Sequence, residues 1–139
     1  MTGLFFEDLS IGQAAERTNT VTEDVIVAFA NVSGDRNPVH LDAAFAATTP
    51  FKERIAHGML SAAYISAVIG MDLPGPGAIY VSQTLSFRRP VKIGAVVITR
   101  CEVKSLDAEK ARATLTCVCT VDGKNVVEGE AVVMAPRKG

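Results

Sequence analysis

The stretch HGMLSAAYISAVIG, residues 57–70, decides the fold. Apart from its opening histidine and two serines it is apolar on nearly every face, and Gly70 closes it. A helix without a polar stripe has no side to turn to water, so it must be buried. The apolar run continues to Met71 but is too short to span a bilayer.

Downstream of the MDLPGPG loop the period changes from helical to alternating. AIYVSQTLSF, AVVITRCEV, ARATLTCVCTV and NVVEGEAVVM are rich in β-branched residues and predict four strands. Arg89-Pro90, Lys92-Ile93-Gly94 and Asp122-Gly123-Lys124 punctuate them as turns. Strands joined by short turns form an antiparallel meander, and wrapping it around the apolar helix buries both. The expected class is therefore α+β, with the 139 residues forming one domain.

Upstream, Ile11 and Gly12 suggest a turn followed by a short strand. Thr20 and Glu23 have capping-box spacing, and Val25, Phe29 and Val32 recur at helical intervals, predicting an amphipathic helix that ends near Gly34. AAFAAT, 43–48, reads as a short helix capped by Asp42.

Net charge is −1 and the charges are scattered, which argues against a nucleic-acid footprint. The N-terminus lacks a basic segment followed by an apolar one, so a cytoplasmic protein without a membrane anchor is expected. Cys101, Cys117 and Cys119 do not have zinc-site spacing and read as small, reduced core residues.

Polar chemistry concentrates in SGDRNPVHLD, residues 33–42. On a continuous helix Asp35 and His40 would lie about 140° apart and could not cooperate. Pro38 disfavours that helix and pushes Asn37 toward extended geometry, or lets Asn37 cap a new turn, so the two side chains can converge. A carboxylate and an imidazole aimed at one spot form an acid/base pair able to hold a water. The same residues are also ordinary turn formers, and spacing alone leaves both readings open.

The run Phe29, Ser33-Gly34-Asp35-x-Asn37-Pro38-Val39-His40 followed by Phe45-Ala46 resembles the hydratase 2 motif of the MaoC-like, (R)-specific enoyl-CoA hydratases. The resemblance continues through His57-Gly58-Met59-Leu60, Leu73-Pro74-Gly75, Ile79-Tyr80, Ser86-Phe87-x-x-Pro90-Val91 and Gly129-Glu130-Ala131. It implies a single hotdog fold, an antiparallel sheet around a long central helix, forming a homodimer. It further implies reversible syn hydration of a trans-2-enoyl-CoA to (3R)-3-hydroxyacyl-CoA, with an acyl-CoA thioester as substrate and neither metal nor other cofactor.

Carried onto this chain, the resemblance makes Asp35 and His40 the catalytic pair and the Gly58 N–H the donor to the thioester oxygen. Gly58 could equally serve close helix packing. Asn37, His57 and Ser66 are the candidates on the substrate side, with Asn37 also holding the loop, His57 bonding a loop carbonyl, and Ser66 free to bond its own helix. Arg88, Arg89, Lys52 and Arg54 are candidates for CoA phosphates or simply solvated charges. The alternatives are a (3R)-hydroxyacyl-ACP dehydratase and a non-catalytic acyl-CoA-binding module. A thioesterase is disfavoured because the central helix carries no acid. The motif fits fatty acid metabolism and polyhydroxyalkanoate precursor supply alike.

Overall fold

A computed structural model describes residues 2–139. Chain order is β1 (Ala14–Thr20), α1 (Glu23–Ser33), α2 (Pro38–Leu41), α3 (Ala43–Ala46), α4 (Gly58–Met71), β2 (Ile79–Gln83), β3 (Ser86–Phe87), β4 (Val96–Asp107), β5 (Arg112–Val121) and β6 (Lys124–Met134). The six strands form one antiparallel sheet in the order β1-β4-β5-β6-β2, and β3 also pairs with β6.

The core follows from strand alternation. Val97, Thr99, Cys101 and Val103 of β4 and Ala113, Leu115, Cys117 and Cys119 of β5 all point inward, where Leu60, Ile65, Val68 and Ile69 of α4 meet them. Cys117 and Cys119 share this inner face, and all three cysteines are free thiols. Full burial of one such aliphatic side chain contributes about 1.5–3 kcal/mol, so the helix–sheet contact dominates stability.

Three expectations need correction. The meander holds for β4-β5-β6 alone, because the segment before it crosses over to pair with β6. That segment is also two strands, broken where Thr84 turns toward β6: its N–H donates to the Glu130 carbonyl at 2.9 Å, and its Oγ1 accepts from the Glu130 N–H at 3.0 Å. Gly129 makes room for this crossing, since a Cβ there would stand 1.8 Å from the Thr84 carbonyl oxygen.

Next, α1 is capped by Thr22, whose Oγ1 accepts from the Val25 N–H at 3.3 Å, and not by Thr20, which belongs to β1 opposite Val96. Its fully buried positions are Ile26 and Ala30, with Val25 and Phe29 half-buried and Val32 83% exposed. Gly34 ends it in the left-handed region, φ 81°, where its N–H donates to the Ala30 carbonyl.

Finally, α4 runs one residue past Gly70, and it is covered on one face only. Met59, Ala63, Ser66 and Gly70, at helical spacing, form an exposed stripe, with Met59 at 57% exposure.

Candidate active site

The polar cluster is assembled by three short elements. Asn37 is the N-cap of α2, its Oδ1 accepting from the Val39 N–H at 3.1 Å, with Pro38 in the first helical position. Its own N–H donates to Asp35 Oδ1 at 3.2 Å, closing a tight turn that leaves the Asp35 side chain exposed. One turn later His40 comes round to the same side. The Asp35 carboxylate and one nitrogen each from His40 and His57 lie within 4.8 Å of one another.

Both histidine tautomers are set by backbone carbonyls. His40 Nδ1–H donates to the Ile55 carbonyl at 2.7 Å, which leaves Nε2 with a lone pair free to accept. His57 Nε2–H donates to the Asp35 carbonyl at 2.8 Å, and its buried Nδ1 has no partner among the described residues. The two rings stack with centroids 3.8 Å apart and planes 27° apart, and Phe29 lies against His57 at 5.0 Å. Because the two planes are stacked, an ion in the plane of one ring lies off the plane of the other, a poor match to a metal that needs the in-plane lone pair of each nitrogen at about 2 Å.

Burial lowers the His40 pKa below its ordinary value; the Ile55 carbonyl raises it, His57 lowers it further, and Asp35 raises it. Burial is the largest of these, so His40 is neutral near pH 7. The α2 backbone is clamped from outside as well. Arg54 Nε donates to the His40 carbonyl at 2.6 Å while its guanidinium pairs with Glu23 of α1 at 2.7 Å. Arg54 is thereby committed to structure, which removes it from the phosphate candidates.

His57 is also the N-cap of α4, so the next residue, Gly58, opens that helix. First-turn amides have no intrahelical acceptor and carry the positive end of the dipole, which suits them to an oxyanion. Packing suits the glycine too, since a Cβ would stand 2.7 Å from Cε1 of Phe87 and the exposed ring would have to move aside. The two roles coexist because one uses the amide and the other the missing side chain. A cavity of about 530 Å³ opens beside Gly58, walled by Phe51, Ile55, Met59, Ser61, Phe87 and Val91.

Asp35, His40 and His57 are thus gathered around one place, with Gly58 following His57 in the chain. Asn37 holds the turn. Ser66 is not brought to the cluster: it sits two helical turns beyond Gly58, about 12 Å along the axis, on the exposed stripe. Buried Ser61 faces the cavity instead, a position for which the sequence gives no signal beyond one serine in an apolar run.

The sequence matches the MaoC like domain over residues 9–127. The chain belongs to the MaoC-like family. An (R)-specific enoyl-CoA hydratase of Rhodospirillum rubrum is 53% identical to this MaoC-like chain over 135 residues, covering 97% of it and 94% of the relative. A 3-hydroxybutyryl-CoA dehydratase of Methylorubrum extorquens is 50% identical, covering 97% and 86%. The solved structure of the R-hydratase PhaJ1 from Pseudomonas aeruginosa superimposes with a TM-score of 0.92 at 52% identity, covering 98% of this chain and 88% of that one. The MaoC-like architecture described above is accordingly the hotdog fold.

Proposed function

We propose that residues 1–139 form one hotdog domain whose Asp35/His40 pair performs the chemistry of an (R)-specific enoyl-CoA hydratase. The enzyme adds water reversibly and syn across a trans-2-enoyl-CoA to give (3R)-3-hydroxyacyl-CoA. Hydratase and dehydratase, the names its relatives carry, are the two directions of that one reaction. The observation that carries the residue assignment is the convergence of the Asp35 carboxylate with the His40 imidazole, within 4.8 Å.

The tautomer of His40 defines its part. With Nδ1–H given to Ile55, Nε2 can only accept, so a water between the two side chains donates one hydrogen to His40 and the other to Asp35. Its oxygen lone pair then faces C3 of the substrate. As the C3–O bond forms, Asp35 takes the water proton and the C2=C3 electrons move onto the thioester oxygen, where the Gly58 N–H stabilises the charge. Collapse of the enolate draws the proton from Asp35 to C2, which restores the carboxylate. Both additions come from one face, which makes them syn.

We further propose that the active unit is a homodimer. Four consecutive residues of β2, Ile79 to Ser82, are exposed, so neither face of this edge strand is covered. Ile79 is 60% exposed, and the α4 stripe with Met59 offers a second apolar surface. An uncovered apolar edge pairs readily with a second copy. Among the described residues no helix is long and apolar enough to cross a membrane. Three free thiols, two of them opposite each other as Cys101 and Cys117, support a reducing, cytoplasmic setting.

The test is the loss of enoyl-thioester absorbance when the protein meets trans-2-butenoyl-CoA, followed by chiral analysis of the product. Formation of the (3R) alcohol supports the reading. A folded protein inert toward both butenoyl-CoA and a longer enoyl-CoA refutes it.

A further inference from the structure

His57 reaches both members of the acid/base pair from outside the turn that carries them. Its Nε2–H donates to the Asp35 carbonyl at 2.8 Å, and its ring covers a face of His40, centroid to centroid 3.8 Å. Phe29 of α1 in turn lies against His57, so the three rings tie α1, α2 and the start of α4 together. Neither capping nor packing calls for an imidazole here. Although His57 is the N-cap of α4, its side chain makes no capping bond, and it is 3% exposed with Nδ1 buried and unpaired among the described residues. A buried polar atom without a partner is destabilising, so a phenylalanine or leucine would fill the space better.

We propose that His57 is a positioning residue for the hydration: through Nε2 it holds the backbone beneath Asp35, and through its ring it holds His40 and shields it from water. The inference rests on the hydratase reading and deepens it. His57 acts through the two groups that meet the reacting atoms.

The first contact fixes the turn that carries the base. The other bonds of Asp35 are local, its N–H to Ser33 Oγ at 3.1 Å and its Oδ1 to the Asn37 N–H. The Nε2 bond instead links it across twenty-two positions to the start of the helix that presents the Gly58 amide. A misplacement of about 1 Å can cost about 10²-fold in rate.

The second contact keeps His40 desolvated. Burial is the largest cause of its lowered pKa, ahead of the Ile55 carbonyl, His57 and Asp35. The charged groups around α2 are otherwise engaged: Arg54 pairs with Glu23 of α1 while bonding the His40 carbonyl, Glu53 pairs with Lys92, Arg36 bonds Asn31 of α1, and Asp42 caps α3. Removing the ring that lies on His40 therefore admits water and moves its protonation up toward the ordinary 6.5.

Two variants separate the contacts. His57→Phe keeps a ring on His40 and loses the bond to the Asp35 carbonyl. His57→Gln can keep the bond, its amide nitrogen standing in for Nε2, and loses the ring. The full-length protein is assayed on trans-2-butenoyl-CoA across the range of a histidine titration, and His40 is titrated by NMR. The chain has two histidines, so in either variant every histidine signal belongs to His40. His57→Phe is expected to lower plateau kcat by about tenfold or more, a larger fall than in His57→Gln, with KM less affected. His57→Gln is expected to raise the His40 midpoint and the acid limb of kcat/KM further than His57→Phe does.

Opposite rankings in rate and midpoint are the mark of two separate contacts. A single ranking that follows the melting temperature is that of a residue that merely packs, and it overturns the proposal. So does a wild-type kcat in His57→Phe or a wild-type His40 midpoint in His57→Gln. Should one variant not fold, the other decides, His57→Phe by its kcat and His57→Gln by its midpoint; failure of both makes the residue structural and also overturns the proposal. The NMR titration needs no turnover. A raised midpoint in His57→Gln beside a wild type that hydrates neither butenoyl-CoA nor a longer enoyl-CoA sinks the hydratase and leaves the hold on His40 standing, whereas a hydrating wild type with an unmoved midpoint does the reverse.

Discussion

Replacing Asp35 with asparagine separates chemistry from folding more cleanly than any other change in the site. The side chain is exposed, and among the described residues its carboxylate accepts one hydrogen bond, from the Asn37 N–H at 3.2 Å. An asparagine oxygen can accept the same bond, so the loss of stability should stay within about 0.5 kcal/mol. For a chain of 139 residues that corresponds to a Tm change of about 2 °C.

The chemistry, in contrast, loses its base. An amide cannot take the water proton, and general acid–base assistance is worth about 10²–10⁴ in rate, or about 3–5 kcal/mol of barrier. The expected variant therefore melts like the wild type and hydrates trans-2-butenoyl-CoA at least about 100-fold more slowly. Enoyl-thioester absorbance under saturating substrate gives kcat, and a thermal melt on the same sample gives Tm. A variant with wild-type melting and kcat within about tenfold of wild type would refute the assignment of Asp35 as base.

The depressed pKa of His40 places the acid limb of kcat/KM below pH 6.5, its ordinary value, and an imidazole limb above 6.5 would contradict the buried, neutral tautomer. The same shift gives a sign for stability. Below 6.5 the unfolded chain binds the His40 proton before the native one does, so this contribution is present above 6.5 and is lost as pH falls, which urea titrations at pH 7.5 and 5.5 in Asp35→Asn backgrounds with and without His40→Ala can resolve. Val81→Lys puts a charge on the uncovered β2 edge and should yield monomers by sedimentation; an unchanged dimer would place the interface elsewhere. Gly129→Ala drives a Cβ into the Thr84 carbonyl and should cost about 3 kcal/mol or more, lowering Tm by about 10 °C; a wild-type melt would show that the crossing can relax.

The parts of the fold legible in the sequence are those set by period and turn chemistry. Alternation in β4, β5 and β6 fixes which residues face inward, and Asp122-Gly123 supplies the positive φ values, 51° and 76°, of a two-residue hairpin. What could not be read was decided by pairing at a distance. Nothing local tells β2 to seek β6 across the sheet, and the break at Thr84 depends on Gly129, forty-five residues later. The cap of α1 slipped by two residues because Thr20 and Thr22 are equally good caps, and strand pairing with Val96 removes the first. The exposed stripe of α4 was hidden for a related reason: a helix apolar all round gives no hint of which side meets the sheet and which awaits another surface.

In the candidate site, Asp35, Asn37 and His40 were legible because Pro38 converts their spacing into a turn, a rule that acts within six residues. His57 was legible as a candidate that bonds a loop carbonyl, but not which carbonyl, since Asp35 lies twenty-two positions earlier, nor that its ring stacks on the face of another imidazole. Yet its place explains how a loop can hold a base accurately. His57 caps α4 and bonds the Asp35 carbonyl, while the adjacent Gly58 offers its amide from the same helix turn. The loop that carries the base and the donor for the oxyanion are therefore fixed to one rigid element, itself packed against β4 through Leu60, Ile65 and Val68. Any shift of α4 moves both together, which keeps the distance between proton removal and charge stabilisation constant.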